Sequence, residues 1–76
     1  MKIVTSQRTV LINGEHAVEW SRGRGDIGVI DIQNEFIEKR STEELSIEDA
    51  ELFANAILKA CADAIDHKLK PAFNTK

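Results

Sequence analysis

Two patterns of apolar positions divide the chain. Between Thr9 and Gln33, short β-prone runs are bounded by turn residues. From Ser46 to Lys68, apolar residues recur every three or four positions, the period of an α-helix. The first pattern predicts strands and the second a single long helix. Together they predict an α+β fold with the order β-β-β-α: an antiparallel sheet of three or four strands covered by one C-terminal amphipathic helix.

The clearest strand signal is Thr9–Ile12 and Glu15–Trp20 on either side of Asn13-Gly14. Both central residues of a type I′ turn need positive φ, which Asn and Gly tolerate best, so the dipeptide predicts a tight hairpin. Such a loop pairs Ile12 with Glu15, Leu11 with His16, Thr9 with Val18 and Arg8 with Glu19. That register puts Leu11, Val18 and Trp20 on the face expected to point inward, and Val10, Ile12 and Ala17 on the other. Ile3 and Val4 either extend the first strand, with a bulge near Ser6 and Gln7, or form a short strand of their own. Ser21–Asp26, with two glycines, reads as a loop. Ile27–Gln33 reads as the third strand, with Ile30, Ile32 and Phe36 on one face. Residues 37–44 are charged and ambiguous, and the strand extends to Glu38 in one reading.

The helix has agreeing end signals. Ser46 is an N-cap, and Asp49 three residues later resembles a capping box. Acidic Glu48, Asp49 and Glu51 suit the positive end of the helix dipole. Lys68 and Lys70 suit the negative end, and Pro71 stops the helix. At 100° per residue, Ile47, Ala50, Phe53, Ala54, Ile57, Leu58, Cys61, Ala64 and Ile65 form a broad face expected to cover the sheet. Leu52 falls outside it. Ala56, Ala60 and Ala64 line its flank at four-residue spacing, so Leu52, Ala56, Ala60 and Ala64 are the candidate flank for a dimer or partner. The tail, residues 72–76, is expected to fray.

The chain has 76 residues and is read as one domain, residues 1–76, without repeats or linkers. A domain of this size buries a modest share of its surface, and self-association is a common remedy. An internal disulfide is excluded because Cys61 is the one cysteine. The soft metal ligands are a Cys and two His, far apart, so no metal and no cofactor is expected, and a homodimer is favoured. No run is long enough for a membrane span, and the first residues lack the apolar stretch of a secretory signal. With a lone cysteine, these features point to a reducing cytoplasm.

Net charge is −3 but unevenly spread. Residues 1–26 hold four basic and three acidic groups, residues 27–52 two and eight, and residues 53–76 four and two. The acidic middle, from Glu35 to Glu51, reads either as a mimic of nucleic-acid phosphates or as helix-dipole complementation and solubility, the cheaper reading.

Candidate chemistry is sparse. A reactive thiolate needs an electropositive, partly open site, and Cys61 sits mid-helix on the apolar stripe, so it reads as packing. His16 has no second titratable group placed to tune it. Trp20, Arg22 and Arg24 form the candidate anion or partner contact: two guanidinium groups around Gly23 suit phosphate or carboxylate, and an indole suits stacking. The Arg24-Gly25-Asp26 triplet matches an adhesion motif too short to carry weight.

No catalytic residues are assigned. The expected function is a small, acidic, cytosolic, non-enzymatic protein-interaction module. Chains of this kind include modulators of host proteins carried by phages and mobile elements. One alternative is a nucleic-acid-binding protein using the Trp20/Arg22/Arg24 loop. Another is a small-molecule binder or enzyme with a site at a dimer interface.

Overall fold

A computed structural model describes residues 2–40 and 44–71. Four strands, β1 (Ile3–Ser6), β2 (Thr9–Ile12), β3 (Glu15–Arg22) and β4 (Gly28–Ile32), form one antiparallel sheet in the order β1-β2-β3-β4. A short helix, α1 (Asn34–Glu38), follows, and a long helix, α2 (Ile47–Asp66), packs on the sheet. The α+β architecture is as expected, and the four-stranded version is the one formed. The tail beyond Pro71 and Glu43 of the acidic stretch lie outside the described residues.

The Asn13-Gly14 turn forms as its residues dictate, with φ of 52° and 83°. It pairs Ile12 with Glu15 and Leu11 with His16. At the next pair the register shifts: Val10 pairs with Val18 and Thr9 with Glu19. A bulge therefore lies in the second hairpin strand, not near Ser6 and Gln7. It inserts Ala17, buried beside Val18, and exchanges the faces of β2 relative to Val18 and Trp20 of β3. Val10, Ile12, Ala17, Val18 and Trp20 all enter the core, while Leu11 is only half-buried. Val18 and Trp20 point inward as expected, whereas Leu11 does not: the one-residue slip leaves β2 presenting Val10 and Ile12 to the core instead. The same slip removes the Arg8–Glu19 pair.

Gln7 and Arg8 interrupt the first strand instead of continuing it. They make a second tight turn, closed by pairing of Ser6 with Thr9, and Gln7 takes a φ of 59°. At the same end of the sheet, Arg24–Asp26 makes a 3₁₀ turn into β4. The strand stops at Ile32, and the chain then coils into α1, which places Phe36 in the core with its ring stacked 5.7 Å from Phe53 of α2. The extended reading through Phe36 is thereby corrected: Phe36 is buried by a helical turn, and Ile32 remains half exposed.

In α2, the Ser46 hydroxyl accepts a 3.0 Å hydrogen bond from the Asp49 amide. Only half of the expected capping box forms, since the Asp49 carboxylate is bound to Arg40 at 3.0 Å. The helix ends two residues before Lys68, in a Schellman turn: Lys68 takes a φ of 70°, its amide reaches the Ile65 carbonyl, and the Leu69 amide reaches that of Ala64. Lys70 then bridges to Ile27 at the outer edge of β4.

The buried face of α2 differs from the expected one. Ala56, Ala60 and Ala64 lie against the sheet, with Leu52, Phe53 and Ile57 partly buried beside them. The helix can sit close there. A β-carbon added at Gly28 would stand 3.7 Å from that of Ala64 and 3.4 Å from that of Leu69. Ile47, Leu58 and Ile65, expected to cover the sheet, are 80%, 65% and 58% exposed. The helix is thus turned so that its small residues meet the sheet and its bulky aliphatic edge meets water. No helix among the described residues is long and apolar enough to cross a membrane.

Candidate functional site

Two surface features of the described residues carry the candidate chemistry. The first is a shallow cleft of about 370 Å³ at the end of the sheet, lined by Gln7, Arg8, Trp20, Arg22 and His67. The β1–β2 turn supplies Gln7 and Arg8, β3 supplies Trp20 and Arg22, and the C-cap of α2 supplies His67. The Arg8 guanidinium lies 5.5 Å from the Trp20 ring centroid, and the His67 ring lies 4.7 Å from it, tilted by 38°. His67 Nδ1 is 2.8 Å from the Asp63 carbonyl oxygen, which can only accept, so Nδ1 carries a proton. Nε2 of a neutral imidazole is then an acceptor.

Only part of the expected Trp20/Arg22/Arg24 contact comes together here. Arg22 lines the cleft but is engaged by Asp26 at 2.7 Å. Arg24 is exposed and lies outside the cleft's lining. Trp20 is 5% exposed and its indole N–H donates to the Asp63 carboxylate at 2.8 Å, so its ring is a core residue with an edge at the cleft. Arg8 and His67 were missed by sequence reasoning. They lie twelve residues before and forty-seven after Trp20, and only the fold brings them together.

The second feature is the outward side of α2. Ala54, Leu58, Cys61 and Ile65 follow one another at alternating intervals of four and three, with Ile47 and Glu51 before them and Lys68 after. That is the spacing of a helix–helix seam. Cys61 is a free, half-buried thiol within this row. The flank expected to meet a partner is not free: Ala56 and Ala60 are fully buried, Ala64 nearly so, and Leu52 packs against the core. The physical reason is that a broad apolar stripe has two edges, and the close approach at Gly28 selects the alanine edge.

Other polar clusters bind the fold together. Arg40 bonds Glu15 of β3 at 2.8 Å, Asp49 of α2 at 3.0 Å and the Phe36 carbonyl at 2.8 Å. The Arg40 hydrogen bond, partly opposed by desolvation, holds the Glu15 carboxyl below its usual range and raises the guanidinium's own pKa. His16 contacts Glu35 at 3.1 Å. Among the described residues, no group of three His, Cys, Asp or Glu side chains is placed to hold a metal ion. Compared with protein-family models, curated proteins and solved structures, the chain matches none.

Proposed function

We propose that this chain is a non-enzymatic protein-interaction module that docks through the outward row of α2. The observation that carries the reading is the exposure of Ile47, Leu58 and Ile65 on one long helix. Full burial of such an aliphatic side chain is worth roughly 1.5–3 kcal/mol, and these three realise only part of it, a sizeable loss against the stability of a small domain. A partner that covers the row recovers that free energy. The lone, unpaired Cys61 suits a reducing cytoplasm as the place where this happens.

The test is a photo-reactive residue at Leu58, compared with one at Asp31 on the outer face of the sheet. Adducts formed from position 58, absent from position 31 and lost on Ile65→Lys, are expected. No adduct from position 58, or the same adducts from both positions, removes the reading.

A second reading, the binding of an anionic group such as a nucleic-acid phosphate, has one observation in its favour: Arg8 and Arg22 share a cleft. Asp26 and Asp63 partly offset their charge. Titration with short DNA and RNA at low salt separates the two readings. Phosphate contacts weaken steeply as salt rises and are lost on Arg8→Ala with Arg22→Ala.

A further inference from the structure

We infer that the occupant of the α2 row is a second copy of this chain, its α2 lying antiparallel to the first across a two-fold axis. This rests on the interaction reading above and names the partner.

The inference comes from what the row places opposite itself. In an antiparallel pair with alternating spacing, the register that sets Leu58 against Cys61 of the other copy also sets Ala54 against Ile65 and Glu51 against Lys68. Two-fold symmetry repeats each pair in reverse. Between the two charged pairs each large side chain then meets a small one: Leu58 fills the space over Cys61, and Ile65 the space over Ala54, while Ile47 lies beyond the Glu51–Lys68 pair. Each end of the seam closes with opposite charges. Registers displaced by one heptad lose this match, because one sets Leu58 against Lys68 and the other sets Ile47 against Ile65 and Glu51 against Cys61.

The local surroundings leave these groups free for the pairing. Among the described residues, neither Glu51 nor Lys68 has an ion pair within its own chain, and both are exposed. Glu48, which also flanks the seam, is held by Lys2 at 2.6 Å. Antiparallel alignment further sets the acidic N-terminal end of each helix, Glu48 and Glu51, beside the negative dipole end and Lys68 of the other. A parallel pair would bring like ends together. Acid at one end and base at the other, with alternating bulk between them, is a self-complementary arrangement.

The experiment is sedimentation of the full chain from about 10 to about 500 µM, a range that captures a small interface. A species of twice the 8.5 kDa chain mass is expected. Leu58→Glu should abolish it, with unchanged circular dichroism and Trp20 fluorescence showing that the fold persists. Glu51→Lys or Lys68→Glu alone should weaken it about fivefold, since each creates two symmetric like-charge contacts, and the two together should restore it. A monomer throughout the range overturns the inference, as does a dimer indifferent to Leu58→Glu or a double reversal that fails to restore pairing. A monomer whose position 58 still cross-links to a different protein overturns self-pairing alone. Absence of any adduct removes the interaction reading as well.

Discussion

The indole N–H of Trp20 donates a 2.8 Å hydrogen bond to the carboxylate of Asp63, tying β3 to the last turns of α2. It explains why the single tryptophan is a core residue although it precedes a loop rich in arginine and glycine. A buried N–H must be satisfied, and Asp63, on the half-buried flank of α2, does so. Asp63→Val leaves the N–H without a partner and should cost about 1–3 kcal/mol. Asp63→Asn retains an acceptor and should cost under about 1 kcal/mol. Urea unfolding followed by Trp20 emission measures both. Equal stability of the two variants would remove the hydrogen bond from the account.

Arg40 joins three elements through one planar group. It bonds Glu15 and Asp49 while its guanidinium carbon lies 3.9 Å over the Phe36 ring. These groups are about one-fifth to one-quarter exposed, so solvent screening reduces the gain. Arg40→Ala should destabilise by about 1–2 kcal/mol, a fall in Tm on the order of 4–16 °C for a domain of this size. Arg40→Lys should recover less than half of the loss, because an ammonium cannot reproduce the fork or the stacked plane. Thermal unfolding of the three proteins decides it.

Glu15 carries the acid sensitivity of the same cluster. Its carboxyl titrates below the usual 4.5 because Arg40 hydrogen-bonds the charged form, with Lys39 assisting. A carboxyl depressed in the folded state contributes stability that is present in full above its unfolded pKa and disappears as pH falls through the folded value. Glu15→Gln should therefore be less stable than the parent near neutrality. The gap should close as pH falls below about 4.5. Urea midpoints measured from neutrality to about pH 3 test this. A gap constant over that range means that Glu15 acts through packing alone.

Much of the fold was legible because local rules and tertiary structure agree. Asn13-Gly14 has one favourable turn to make, and Ser46 and Pro71 bracket a helix of helical period. The reading failed where one residue decides a face. The bulge at Ala17 has no distinctive composition, yet it exchanges the sides of β2 and puts Val10 and Ile12 inside in place of Leu11, while Val18 and Trp20 face inward as expected. Phe36 was assigned to a strand because a short apolar run fits either period. The cleft was half legible: Arg22 was found beside Trp20, whereas Arg8 and His67 reach it only through a turn and a helix C-cap that the linear order does not connect.

Gln7 tests a turn that the sequence left open between one continuous strand and two. It occupies the first loop position of the β1–β2 hairpin with φ of 59°, a conformation that glycine adopts without steric cost. Gln7→Gly should raise stability by up to about 1 kcal/mol, and Gln7→Val should lower it by at least as much. Denaturant midpoints give both numbers. A destabilising glycine would mean that the Gln7 side chain contributes more than its backbone costs.

The orientation of α2 is open to a direct contrast between Ala60 and Ala54. The stripe expected from periodicity buries Ala54 and leaves Ala60 at the flank, whereas the structure buries Ala60 completely and exposes Ala54. Leucine is an excellent helix former, so substitution at either position leaves intrinsic helicity nearly unchanged and isolates packing. Ala60→Leu adds three carbons where the helix lies close to the sheet and should cost about 1–3 kcal/mol or more. Ala54→Leu should change monomer stability by less than about 0.5 kcal/mol. It should also weaken self-pairing, because it overfills the space opposite Ile65 of the second copy. Unfolding measured at low concentration, where the monomer dominates, separates the folding term from the pairing term. The reverse order, with Ala54→Leu the destabilising change, would return the bulky stripe to the sheet and remove the exposed seam on which the proposed interaction depends.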